Sequence, residues 1–474
     1  MAASSGGAMF LKCIDASGNI KDADYVASTF ESAIKEVGEQ IVVQIITDNA
    51  SNYKAVGSII ESKYPHVFWT PCVVHSLNLA LKSICDPSEK SPQYVHCKWI
   101  ADLVSDVQNI RNFVVNHNIT LFIYNKCSKL SLLRVAYTRF ASSIIMSKRL
   151  REIKLSLEQM VMYSDWKNYR DGNNEAKAQE VKRCIVNDVW WDNLDYLLSF
   201  TEPIINMLRA ADTDTPILHS IYDMWDSMIE NVKQNVFNHE GISLVEGNSG
   251  FFDDIHQILE ARWNKSNTPL HCMAHSLVPK YYCEAWLQGG TIGGAPRVSP
   301  HEDHEVSMNI SKCFKRLFQN PTDLRKAYVE YGTFSSGSEF FNQAHVIDAR
   351  MFEEPISWWA NYGASTPLLQ TLAFKLLSQP ASSSCCERNW STYSFIQSIK
   401  RNKLATSRAE DLVFVHCNLR LMSRKQEEYK DGPTKYWDLC GDNMDSDGYS
   451  IELPELSLDE PELETMTLND EDED

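Results

Sequence analysis

No stretch of the 474 residues approaches the run of roughly 18 apolar positions that crosses a bilayer. The opening residues, MAASSGGAMF, lack the basic and apolar regions of a secretory signal. A membrane partner is therefore not expected. No two of the 13 cysteines stand in C-x-x-C spacing, and no regular interval relates the rest. That pattern speaks against a disulfide framework and fits buried thiols in a reducing compartment. Lysine and arginine are missing altogether from residues 441–474, which hold 14 of the 63 acidic residues. The remaining body has 49 acids against 45 basic residues, so the net charge of −18 belongs mostly to this tail. Nucleic-acid binding by the body then depends on local basic patches. The tail's composition predicts solvated disorder, although Ile451, Leu453, Leu456 and Leu458 among the acids offer a partner motif.

Apolar residues make up 43% and aromatic residues 11%, which suits two or three globular domains. The first hundred residues alternate strand and helix patterns. Residues 9–15 (MFLKCID) read as a short strand, and 22–38 as an amphipathic helix opened by Asp22 and closed by Gly38. Residues 41–47 (IVVQIIT) are a β-branched run of the kind buried on both faces of a sheet. A helix over 50–63 and a strand over 67–70 follow, giving an α/β layout with a partly parallel sheet. Asp48 lies at the carboxyl end of the second strand, where open α/β sheets place ligands. A carboxylate there either holds a hard cation such as Mg²⁺ or caps the following helix. Cys72 and His75 have metal-ligand spacing, but no second close pair completes a zinc site.

From about residue 98 to 282 the pattern is helical, with helices expected over 99–117, 144–162, 188–211, 217–236 and 252–263. Residues 171–174 and 241–250 read as loops, and the glycine-rich 288–300 as a linker. Arg139 and Phe140, followed by Lys148, Arg149, Arg151 and Lys154, combine an aromatic ring with positive charge. Such a combination suits DNA contact, and equally a helix with a solvated basic face. His271 and His275 stand at i, i+4 beside Cys272 and Cys283, without a third ligand at zinc spacing, which favours helix packing.

Residues 355–421 are the most patterned part. Leu368, Leu369, Leu372, Ala373, Leu376 and Leu377 recur at helical spacing, and Pro380 stops that helix. Ser382, Ser383 and Ser384 offer capping hydroxyls for a second helix carrying Glu387, and Leu412, Val413, Val415, Leu419 and Leu421 mark a closing one.

The order of Trp358 and Trp359, then PLLQTLA, LSQPASSSCCERNWS, KRNKL, LV and NLRL resembles the C-terminal dimerisation region of hAT-superfamily transposases. TDNASNY followed by FWTPCVVHSLNL resembles a conserved block of plant hAT-like proteins, found with the domain of unknown function that precedes that region. The resemblance implies an incomplete ribonuclease-H-like core over 1–96, interrupted by a helical insertion over 97–300. C-terminal dimerisation helices over 301–440 close it, and the acidic tail follows. It makes Asp48 and Glu387 two of three ancestral catalytic carboxylates and Cys72 and His75 the family's C-x-x-H motif. The family's first aspartate and N-terminal zinc finger would lie upstream of the first residue, so the resemblance leads one to expect an N-terminally truncated, catalytically incomplete chain. Mg²⁺ would enter only if the set were completed.

The expected function is association in the nucleus with itself or related hAT proteins, with residual DNA contact. Trp358, Trp359, Leu368, Leu372, Leu376, Trp390 and Leu412 are the dimerisation candidates. The rivals are a fragment of an active cut-and-paste transposase, and a helical scaffold that recruits partners through its tail.

Overall fold

The computed structural model describes residues 1–14, 16, 18–130, 132, 140–167, 174–213, 215–244, 247–290, 296–387 and 406–423. Arg139, Trp390 and the tail 441–474 lie outside the described residues.

The chain starts with an antiparallel hairpin, β1 (Ala2–Ser4) and β2 (Gly7–Met9). The strand expected over 9–15 is thus displaced toward the N-terminus, because Gly7 with its positive φ turns the chain back onto β1. Helix α1 (Ala23–Val37) is opened by Asp22, whose carboxylate accepts the Tyr25 N–H at 2.9 Å. Gly38, at φ 112°, closes it and folds 41–42 back onto the helix end, Ile41 donating to its carbonyl at 2.9 Å. Ile41 therefore stands 70% exposed, and only Gln44–Thr47 of the expected 41–47 forms strand β3.

Helix α2 (Ser51–Lys63) crosses over to β4 (Phe68–Pro71), which pairs with β3 in parallel, Gln44 opposite Phe68 and Thr47 opposite Pro71. Gly57 lets α2 lie on the sheet: a Cβ there would come within 2.4 Å of the Trp69 ring, whose indole N–H donates to Thr47 Oγ1 at 2.8 Å. Among the described residues the strands form two separate two-stranded sheets, a coarser α/β unit than the core expected from sequence.

Helices follow: α3 (Val73–Cys85), α4 (Tyr94–Asn116), α5 (Asn118–Cys127), α6 (Phe140–Glu152), α7 (Lys154–Met162), the short α8 (Ser164–Lys167), α9 (Asn174–Ile185), α10 (Asp188–Ala211), α11 (Ile221–Glu240), α12 (Gly250–Ser266) and α13 (Pro269–Ser276). The single helix expected over 144–162 is broken at Ile153, where φ −100°, ψ 15° leaves the helical region. After α14 (Glu284–Gln288) come α15 (His304–Leu317), α16 (Pro321–Ser335), α17 (Ala344–Phe352), α18 (Pro355–Tyr362), α19 (Pro367–Leu376) and finally α20 (Thr406–Ser423).

One apolar core runs from Val43 and Phe68 through the helical middle to Trp358, Trp359 and Ala381. A smaller core lies between α1, α2 and Ile45. A third, apart from both, gathers Phe10, Ala409, Val413 and Cys417 where α20 meets β2.

Candidate functional site

The carboxyl ends of β3 and β4 form one corner with a segment from far along the chain. The Cys72 N–H donates to the Thr47 carbonyl at 2.8 Å, which fixes the start of α3 beside Asp48. Val73 N–H donates to Ala381 at 3.1 Å, and Ser383 N–H to Cys72 Sγ at 3.4 Å across 311 positions of sequence. Residues 384–387 then continue in helical conformation, Glu387 among them. Cys72 is wholly buried. Burial pushes its thiol pKa up, the negative charge of Glu387 adds to that, and hydrogen bonding from Ser383 and from the His75 backbone works against it. His75 itself is half-buried on the first turn of α3.

Asp48 accepts the Ala50 N–H on Oδ1 at 3.1 Å, so one oxygen of this carboxylate is engaged at the start of α2. Its charge joins burial in raising the Tyr53 hydroxyl pKa. Asn49 donates to Ser76 Oγ at 2.7 Å, and Ser76 also meets Ser266 Oγ at 2.5 Å, tying the corner to α12. Among the described residues no group of three or more His, Cys, Asp or Glu side chains is placed to hold a metal ion. Two carboxylates, one already bound to a backbone amide, beside a buried protonated thiol do not fit a pair of magnesium ions.

The basic candidates separate. Phe140 starts α6 half-buried against the main core, and Lys148 is exposed. Arg149 is 92% buried, with Glu152 at 3.5 Å. Arg151 meets Asp195 at 2.5 Å, and Lys154 lies 3.8 Å from Glu158. Among the described basic residues of this stretch, Arg149, Arg151 and Lys154 thus each lie beside a carboxylate. His271 and His275 are packing residues: Thr268 Oγ1 meets His271 Nδ1 at 2.9 Å, and His275 stacks between Tyr222 and Tyr281 at 4.8 and 4.2 Å. Burial lowers their pKa values to about 4 and about 3, so both are neutral at pH 7.

Trp358, Trp359, Leu372 and Leu376 are buried inside the chain's own core, and Leu368 is half-buried. Trp359 Nε1 donates to the Leu277 carbonyl at 2.7 Å, and its ring packs 4.7 Å from Phe334. These residues therefore hold the C-terminal region onto the helical middle. Leu412 is different. It is 48% exposed on α20, together with Val415, Leu419 and Met422. Their spacing of three, four and three places them in one stripe, on the side away from Ala409, Val413 and Cys417. Sequence patterning marked several apolar residues of α20 but did not separate the two faces. It also assigned no role to Asn418, which grips Phe10.

An α/β unit at the start, a helical middle and a C-terminal region folded back onto the strand ends define a multi-helical protein built around an interrupted α/β corner. Residues 1–110 match the family described as "Domain of unknown function (DUF659)", and residues 337–419 match the hAT family C-terminal dimerisation region. That succession is the one found in a hAT-family transposase-derived protein. A curated relative, "Putative transcriptional regulator tpeD" of Talaromyces stipitatus, is 21% identical over 240 residues. The match spans 44% of this chain and 27% of that relative.

Proposed function

We propose that this transposase-derived chain acts in the nucleus by associating through α20 with a second copy or a related hAT protein, and that it does not cut DNA. The observation that carries this reading is the stripe of Leu412, Val415, Leu419 and Met422, exposed on a helix that lies largely inside the matched dimerisation region. The three–four spacing of this seam suits burial against another helix. The corner at Asp48, Cys72 and Glu387 supports descent from a nuclease of ribonuclease-H-like fold, while among the described residues no group of three metal-ligating side chains stands ready for the two-metal reaction. The relative's printed name suits a chromosomal role, in which paired copies bring DNA-bound partners together. Lys148 is a minor DNA contact at most in this reading.

Sedimentation of the full chain tests it. The wild type is expected to dimerise at micromolar concentration, and the double variant Leu412→Lys, Leu419→Lys to weaken the dimer by about 100-fold while staying folded, since both side chains are exposed. A monomeric wild type, or a dimer indifferent to both lysines, would overturn it. Mg²⁺-dependent nicking by the purified chain, lost in Asp48→Ala, would establish the rival reading of an active transposase fragment.

A further inference from the structure

The ladder of the N-terminal hairpin ends at Met9 opposite Ala2, and Phe10 is the first residue past it. A side chain pairs with its backbone. Asn418 Oδ1 accepts the Phe10 N–H at 2.9 Å, and Asn418 Nδ2 donates to the Phe10 carbonyl at 3.0 Å. A primary amide has one donor and one acceptor side by side, the same pair that a neighbouring strand residue would present. The ring of Phe10 is 5% exposed, seated on Ala409, Val413 and Cys417, with Phe414 edge-on at 6.2 Å and Met1 and Cys13 at its margin.

This cluster is separate from the main core. Among the described residues the packing of α20 is against β2. Ala409, Val413 and Cys417 are four residues apart and form the face turned to the hairpin. With that face held, the stripe of Leu412, Val415, Leu419 and Met422 is turned outward. Asn418 and this inner face thus both hold α20 to the hairpin.

We infer that Asn418 is a positioning residue for self-association: by pairing with the backbone of Phe10 it presents the outer stripe of α20 to a second copy of this chain. The N-terminal ten residues then belong to the associating unit, although they lie about 400 positions from it in sequence. The inference rests on the self-association proposed above and adds to it a residue and a segment outside the helix–helix seam.

The test uses the full chain with Asn418→Ala and Asn418→Asp. Aspartate has the shape of asparagine but no donor, and it sets a negative charge against the Phe10 carbonyl. A space-filling role therefore leaves the aspartate variant unchanged, and a pairing role does not. Two readouts are taken: the dimer dissociation constant by sedimentation, and the rate at which iodoacetamide alkylates Cys417, which is 2% exposed in the docked helix. Both variants are expected to raise the dissociation constant about tenfold, the scale of two lost hydrogen bonds, and to speed Cys417 alkylation by at least as much. The main thermal transition stays in place, because the main core is not touched. A dimeric wild type whose Asn418→Asp variant associates as tightly and protects Cys417 as well overturns this inference alone. A monomeric wild type overturns the self-association reading together with it.

Discussion

His275 shows what a single residue contributes when packing rather than chemistry holds it. Its ring lies between Tyr222 and Tyr281 and is 4% exposed, with its pKa lowered to about 3, mainly by burial. His271, 1% exposed, is held at about 4 for the same reason. In the unfolded chain both take up a proton near pH 6.5, so acid favours the unfolded state from about that pH downward. Stability is expected to fall by about 1.4 kcal/mol per pH unit for each histidine as pH drops from about 6.5 toward the folded values. His275→Phe keeps a ring between the tyrosines and removes the proton. Urea denaturation between about pH 4.5 and 6.5 should then show a slope shallower by about one proton. An unchanged slope would mean that the buried histidines do not control acid stability.

At the scale of elements, α10 carries Pro203 inside an unbroken helix. Proline leaves the carbonyl four residues earlier without its intrahelical donor. Here that carbonyl is Ser199, and Asn235 of α11 donates its side-chain amide to it at 2.6 Å. The helix is thereby repaired by its neighbour, which accounts for a pattern that reads as continuous over 188–211 despite a helix breaker. Asn235→Leu should destabilise the protein by about 1–2 kcal/mol, measured by urea midpoint, because the carbonyl loses its donor in a partly buried position. The double variant Pro203→Ala, Asn235→Leu should recover most of that loss, since an alanine N–H supplies the missing bond. Helix α20 illustrates the opposite case. Its two apolar faces lie on opposite sides, and among the described residues one of them is covered within the chain while the other is exposed.

Across the whole molecule, a few long-range bonds decide how the parts meet. Arg316 on α15 lays its guanidinium 3.7 Å from the Phe68 ring centre and donates to the carbonyls of Pro65 and Val67 at 2.8 and 2.6 Å, with Glu61 at 2.9 Å. Glu61 also accepts the Trp69 N–H at 3.0 Å, so side chains occupy the outer edge of β4. Lysine cannot reproduce a planar fork stacked on a ring. Arg316→Lys should therefore cost about 1–3 kcal/mol by denaturant titration, and it should speed amide exchange at Trp69 and its neighbours. Loss of stability without faster exchange there would place the effect elsewhere.

Local patterns were sufficient for most helices. Asp22 and Gly38 bound α1 where the residue types imply, and α10 runs over 188–211 as its apolar spacing requires. Such features depend on neighbours within a few positions, so the sequence carries them. The ordered motifs of residues 355–421 likewise announced the hAT dimerisation region before any fold was known. Tertiary structure alone decided which apolar residues face inward. Trp358 and Trp359 are used up by Phe334, Phe341 and the carbonyl of Leu277, while Leu412 is left outside, although periodicity marks all three alike as apolar helix positions. It also decided that residues 381–387 meet Cys72 and that Asn418 meets Phe10. Contacts across more than three hundred positions arise from closing the chain on itself, and no local spacing records which amide will find which strand.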